Sequence, residues 1–292
     1  MLSDRISILD FDGSVTGQAD FPGRAGAAVV DLTAMGPAAR LWANRRQADA
    51  IRRSLDGALK DSITFLGSGD YHYVSALLLE QFTGPVTLVA FDHHPDWDIL
   101  PPRHGCGAWV SRALEMGNVS QAVLVGNGSD DLLFPSVLTG NRRAARSGRL
   151  LMLPFEAPRR KAWPFGGIPW HELKEDPNGV FSAIVDGLPC RRVYVSIDKD
   201  CLTAADALTN WEEGRLSLDL LLSFIRTLRQ TCEIVGLDIT GEYSPVSIPG
   251  RFKSWCSRID HPGDFTARGR PQDAIARTNG TTNRRLVECL RS

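Results

Sequence analysis

Two short stretches carry residues whose types and spacing could act together on one ligand. The first, Val86 to Asp98, reads VTLVAFDHHPDWD. Its apolar, β-branched start has the pattern of a buried strand. Where the apolar run stops, Asp92, His94 and Asp96 follow at alternate positions, and in extended backbone such side chains share one face. Two carboxylates and an imidazole therefore converge at the carboxyl end of a strand, where open α/β sheets place their ligands. Alone, this pattern fits a metal site and a polar turn around one buried charge pair equally well. The second stretch, Arg192 to Ile197 (RVYVSI), is another apolar strand and ends in Asp198-Lys199-Asp200. Its two carboxylates again share a face, with Lys199 turned away. Crowded carboxylates repel unless a cation neutralises them, so the two stretches together point to metal ligation.

The elements that must position these residues follow from pattern. Eight strand-like runs occur: Ile6 to Phe11, Ala27 to Leu32, Ser62 to Leu66, Val86 to Phe91, Gln121 to Val125, Arg149 to Leu153, Arg192 to Ile197 and Glu233 to Ile239. Several are apolar on both faces, as strands of a parallel sheet covered on both sides must be. Helical patterns lie between them, over Pro37 to Ala58, Tyr73 to Phe82, Ala108 to Met116, Ser217 to Arg229 and Thr282 to Leu290. Pro37 suits a first helical turn, and Ser217 suits an N-cap. Alternating strands and helices predict an α/β fold. The expectation is one domain over residues 1–292, a three-layer α/β/α arrangement with a mostly parallel sheet of eight strands. The segments Asn127 to Gly148, Ala157 to Gly179 and Pro245 to Thr281 read as loops. Loops carry specificity more often than scaffold, so substrate selection or contacts between copies of a homo-oligomer are expected there.

Bulk properties exclude several classes. The chain has 292 residues, 43% hydrophobic and 23% charged, with a formal net charge of -1. No basic field points to nucleic acid, and no apolar run approaches the roughly 18 residues of a membrane span. The start, MLSDRISILDF, does not read as a signal peptide. The six cysteines are scattered, with no CxxC pair, and read as reduced thiols of a cytoplasmic protein.

The two carboxylate stretches resemble the arginase–agmatinase (ureohydrolase) family, which carries Asp-x-His-x-Asp after one strand and Ser-x-Asp-x-Asp after a later one. Here they stand as Asp92-His93-His94-Pro95-Asp96 and Ser196-Ile197-Asp198-Lys199-Asp200. The family's earlier metal histidine follows a Gly-Gly-Asp motif; FLGSGDYHY stands in that place, making His72 the matching ligand, with Tyr71 inserted. The family's His-Gly matches His104-Gly105. Its late Asp-x-x-Glu motif is matched loosely by Asp238-Ile239-Thr240-Gly241-Glu242, one residue longer.

The resemblance implies a hydrolase with two Mn²⁺ ions acting on a small guanidino compound. His72, Asp92, Asp96 and Asp198 would hold one ion. Asp92, His94, Asp198 and Asp200 would hold the other. Two ions about 3.5–4 Å apart can share a water and lower its pKa. Glu242 would hold the cationic group, Asp96 would pass a proton to the leaving amine, and His104 would shuttle protons or orient the substrate. The departures from the family bear on substrate. Asp98 stands where arginases carry an Asn that helps hold an α-carboxylate. The sequence after Asp200 places Trp211, Glu212 and Glu213 where the family has a Thr-Gly-Thr-Pro loop. An acid and an aromatic face suit a cation and repel a carboxylate. The expected substrate is therefore agmatine-like or a small guanidine.

Three other readings compete. ILDFDGSVT resembles the first motif of haloacid-dehalogenase-type phosphatases, with Asp10 as nucleophile, Asp12 as acid and Asp130-Asp131 imitating a later motif. That reading leaves His72, Asp92, His94, Asp96, Asp198 and Asp200 unexplained. A metal-dependent deacetylase would need fewer carboxylates and one ion. A non-catalytic relative would keep the metal and lose turnover.

Overall fold

The structure, a computed structural model, describes residues 4–19, 21–55, 59, 61–156, 169–260 and 269–292. The strands are β1 (Ile6–Asp10), β2 (Ala28–Asp31), β3 (Trp42–Ala43), β4 (Ile63–Gly67), β5 (Val86–Phe91), β6 (His104–Gly105), β7 (Val119–Val125), β8 (Leu150–Leu153), β9 (Arg192–Asp198) and β10 (Glu233–Thr240). The α-helices are α1 (Gly36–Ala39), α2 (Arg45–Ser54), α3 (Val74–Leu79), α4 (Trp109–Leu114), α5 (Arg142–Arg146), α6 (Pro177–Asp186), α7 (Leu218–Thr231), α8 (Arg251–Asp260) and α9 (Gln272–Arg291).

All eight strands expected from pattern enter one sheet, in the order β2-β1-β4-β10-β9-β5-β7-β8. Every neighbouring pair is parallel. Side-chain alternation divides the core into two layers. Val86, Leu88 and Ala90 of β5 join one cluster with residues of α2, α3, α4 and α5. Val89 and Phe91 join another with residues of α6, α7 and α9. Burying each large side chain in these layers contributes about 1.5–3 kcal/mol, and both faces of the central strands are filled. The three-layer α/β fold read from the sequence is what the chain adopts. Because the strands are parallel, their carboxyl ends share one edge, and β4, β10, β9 and β5 stand side by side there.

The helices depart from expectation where tertiary contacts override local pattern. Expected helices over 73–82, 108–116 and 217–229 correspond to α3, α4 and α7, and the Ser217 hydroxyl caps α7 by accepting from the Leu220 amide at 3.3 Å. The helix expected over 37–58 is broken among its described residues. Leu41 takes a left-handed φ of 64° after α1. Trp42 and Ala43 then pair antiparallel with Gly105 and His104. Asn44 and Gln47 close a reciprocal capping box that starts α2. The last helix begins at Gln272 rather than Thr282. The buried face of its missed first turns carries Asn279 and Gly280, so hydrophobic periodicity underestimates it. The expected loop at 157–179 holds over residues 169–176, which carry no helix or strand, and ends in the first turn of α6, which Asp176 caps and Pro177 opens; residues 157–168 lie outside the described residues. The expected tail loop contains α8 and the start of α9, with 261–268 outside the described residues. No helix among the described residues is long and apolar enough to cross a membrane.

Candidate metal centre

The proposed ligands gather from three strand ends. Beyond β5, Asp92 Oδ1 accepts from the His94 amide at 2.7 Å, bending the chain back on itself. Asn127 Nδ2 donates to the carbonyls of Asp92 and His94 at 3.1 and 3.2 Å, fixing that bend from the loop after β7. Asp96 follows with φ +45°, a left-handed conformation that a non-glycine residue holds only when its surroundings enforce it. Its Oδ2 accepts from Trp109 Nε1 at 2.7 Å. Beyond β9, Asp200 Oδ1 accepts from the His93 amide at 3.0 Å, and Oδ2 lies 2.8 Å from His94 Nδ1. Beyond β4, a 3-10 turn, Gly69–Tyr71, delivers His72.

His72 Nδ1 lies 3.1 Å from Asp92 Oδ2, 3.2 Å from Asp96 Oδ2 and 3.5 Å from Asp198 Oδ2. Its other nitrogen, Nε2, lies 2.8 Å from Ser196 Oγ, and that hydroxyl lies 2.7 Å from Asp238 Oδ1. A hydroxyl has one proton. Given to Asp238, it leaves Ser196 as the acceptor and Nε2 as the donor. Nδ1 then presents a lone pair to three carboxylate oxygens. Neither His72 Nδ1 nor Asp92 Oδ2 has a hydrogen-bond partner, and both are buried. Such a cluster requires positive charge at its centre.

The titration behaviour of the protein alone shows the same demand. Burial would push His72 down, but the Asp92 and Asp96 carboxylates beside it raise it well above the ordinary histidine value. Burial, with Asp96 and Asp200 nearby, raises Asp92. Burial and the Asp200 charge push Asp198 up to about 8. Burial opposes ionisation of Asp200 too, but His94 outweighs it and holds that carboxyl low. A proton between these groups and a metal cation are alternative answers to one electrostatic need. Among the described residues, two sets have ligand atoms close enough to share an ion, His72/Asp92/Asp96 and Asp92/His94/Asp200. The donor set is oxygen-rich with two imidazoles, which fits divalent cations such as Mn²⁺.

The centre forms part of the lining of a cavity of about 360 Å³, which Leu41, Trp42, Leu100, Pro102, Cys106 and Trp211 also line. Asp98 lines it, with Oδ1 accepting from Thr139 Oγ1 at 2.7 Å, and burial raises its pKa. Trp211 packs edge-on to His94 at 5.3 Å. Gly69 allows a close approach: a Cβ there would lie 2.8 Å from Asp198 Oδ2.

Three expected site residues fall elsewhere. His104 sits on β6, where successive side chains alternate, so Gly105 lines the metal cavity while His104 lines a separate one with Arg45, Arg52, Arg103 and Arg112. Burial and the charges of Arg52 and Arg112 lower its pKa. Glu242 is 1% exposed and ion-pairs with Lys199 rather than facing the cavity. A register shift between Ile239 and Thr240 and the left-handed Gly241 at φ +85° redirect it. Glu212 is half-exposed and faces His93, Oε2 to Nε2 at 3.8 Å. Residues that sequence reasoning passed over are Trp109, Asn127, Ser196 and Asp238, which orient ligands, and Asp131, which lines the cavity. Ser196 and Asp238 carried a signal as members of family-like motifs, and Asp131 carried one only for the phosphatase reading.

The phosphatase-like carboxylates are consumed as loop fasteners. Asp10 accepts from the Gly13 amide and from Thr16 Oγ1, both at 2.8 Å. Asp12 accepts from the Ser14 amide and hydroxyl, the Ser68 amide and Ser244 Oγ.

Residues 24–251 match the model of the arginase family. This chain belongs to the arginase family. A Thermotoga maritima protein described as uncharacterized is 27% identical over 187 residues, which are 63% of this chain and 59% of that protein's length. Solved structures share the arginase-family fold at low identity. Proclavaminate amidino hydrolase from Streptomyces clavuligerus aligns at 15% identity and TM-score 0.56, covering 97% of this chain and 94% of that one. Agmatine ureohydrolase of Thermoplasma volcanium aligns at 15% and 0.53, covering 96% and 89%. Trypanosoma cruzi formiminoglutamase with Mn²⁺ aligns at 14% and 0.56, covering 98% and 94%.

Proposed function

We propose that this arginase-family chain hydrolyses a guanidino compound to urea and an amine at a two-cation centre, and that its substrate carries no carboxylate on its tail. The observation that carries the reading is the buried His72 lone pair aimed at three carboxylates beside an open cavity. His72, Asp92, Asp96 and Asp198 would hold one ion, and Asp92, His94, Asp198 and Asp200 the other. Mn²⁺ suits this donor set, and the Mn²⁺ in the formiminoglutamase structure of the same fold supports it. When bound, the ions supply Lewis acidity and lower the pKa of a water toward neutrality. Asp96, steadied by the Trp109 indole, is placed to hand a proton to the departing amine nitrogen. The agmatine ureohydrolase and the proclavaminate amidino hydrolase of this fold support the reaction class.

Lining chemistry supports the substrate class. Outside the proposed ligands, the charged residues that line the cavity among those described are Asp98 and Asp131; no Lys or Arg does. A substrate carboxylate would meet like charge at Asp98 and Asp131, whereas the Trp211 indole in the lining suits a cation. Glu242 and His104 have no part in this reading, because neither faces the cavity. Urea release measured side by side on agmatine, guanidine, guanidinobutyrate and arginine tests it. Higher kcat/KM is expected for agmatine and guanidine, and higher values for arginine or guanidinobutyrate contradict it. The variant Asp98→Asn sharpens the test. It is expected to lower kcat/KM for agmatine about tenfold, ~1.4 kcal/mol, and to leave guanidine, which has no tail, nearly unchanged. Equal losses on both substrates would show that Asp98 does not read the tail.

A further inference from the structure

Glu242 is held by a lysine that stands between two proposed ligands, and the contacts close into a ring. Lys199 Nζ donates to Glu242 Oε1 at 2.5 Å and to Asn283 Oδ1 at 3.0 Å. Asn283 Nδ2 donates to the same Glu242 oxygen at 2.6 Å and to Gln18 Oε1 at 3.0 Å. Gln18 Nε2 returns to Glu242 Oε2 at 2.8 Å. None of the four is more than 2% exposed. They come from the loop after β1, the turn after β9, the segment after β10, and α9. The backbones are pressed together as well: a Cβ on Gly241 would lie 2.4 Å from Asp198 Oδ1 and 2.6 Å from the Lys199 nitrogen. Lys199 thus draws the peptide between Asp198 and Asp200 toward α9, while both carboxylates line the metal cavity.

We infer that the Lys199–Glu242 pair is a positioning clamp for the Asp198–Lys199–Asp200 turn, and that Glu242 serves this clamp instead of the substrate. The inference rests on the two-cation reading. Stability alone does not account for the pair, because apolar replacements of a buried ion pair are often neutral or stabilising. Orientation of ligands does account for it: losing outer supports of a metal site typically weakens metal affinity 10–100-fold. Lys199 is a positioning residue, since it touches neither the cavity nor the proposed substrate.

The test is Mn²⁺ binding to the full chain by equilibrium dialysis with metal analysis, alongside melting of the metal-free protein. Lys199→Met/Glu242→Met removes both charges together and strands neither. It is expected to melt close to the unaltered protein, yet to bind the ion shared by Asp92, His94 and Asp200 at least about tenfold more weakly. Two ions bound with unchanged affinity would overturn the clamp. Should that variant fail to fold, Glu242→Gln gives the same readout, with weakened Mn²⁺ binding expected. A raised KM with Mn²⁺ affinity intact would overturn the clamp and return Glu242 to the substrate. Unaltered protein that binds two ions but releases no urea would overturn the proposed reaction and leave the clamp to be judged by affinity. Unaltered protein that binds no Mn²⁺ would overturn both.

Discussion

Asp92→Ala is expected to abolish Mn²⁺ binding at both positions and to lower urea release more than about a thousandfold, ~4 kcal/mol of barrier. Asp92 belongs to both ligand sets, and its Oδ1 also bends the chain that delivers His94. No other residue of the centre combines these roles. The variant is expected to fold, because removing one of several crowded carboxylates relieves repulsion in the metal-free protein. Metal analysis of the purified variant checks the first part and a urea assay the second. Two ions retained at normal affinity would show that the sets do not share Asp92.

Arg40→Met is expected to destabilise the fold by about 3–5 kcal/mol, the range for removing one partner of a buried ion pair. Arg40 is 2% exposed and its Nε pairs with Asp70, which is 0% exposed. Its Nη1 donates to the Pro245 carbonyl at 3.1 Å. Its Nη2 donates to Ser244 Oγ at 2.8 Å and to Ser68 Oγ and Asn210 Oδ1 at 3.3 Å. One guanidinium therefore ties the turn that carries His72 to the loop that carries Trp211 and to the segment after β10. Burial alone would lower its pKa, but Asp70 raises it, so the cation persists in the interior. Urea denaturation of the two proteins measures the difference. A loss below about 1 kcal/mol, the range of exposed pairs, would contradict this role. Arg40→Met/Asp70→Leu, which leaves no lone charge, is expected to recover most of the loss.

The parts legible in the sequence share one property: local pattern decides them. Val86 to Phe91 is largely apolar on both faces, the pattern that strands of a parallel sheet covered on both sides carry. Asp92, His94 and Asp96, and likewise Asp198 and Asp200, declare a common target through spacing and charge type. The errors lie where distant contacts decide. His104 faces away from the candidate metal centre because Trp42 and Ala43 pair with its strand, and nothing near His104 in sequence reveals that partner. Glu242 turns inward because one extra residue, Gly241, adopts a left-handed conformation and Lys199 supplies the charge. The first turns of α9 stayed hidden because their buried face is polar at Asn279, which binds the backbone of Leu208.

Anomalous diffraction from crystals soaked in Mn²⁺ tests the two-cation centre most directly. The account predicts two peaks about 3.5–4 Å apart, one among His72, Asp92 and Asp96 and one among Asp92, His94 and Asp200. A single peak, or none near His72, would contradict it.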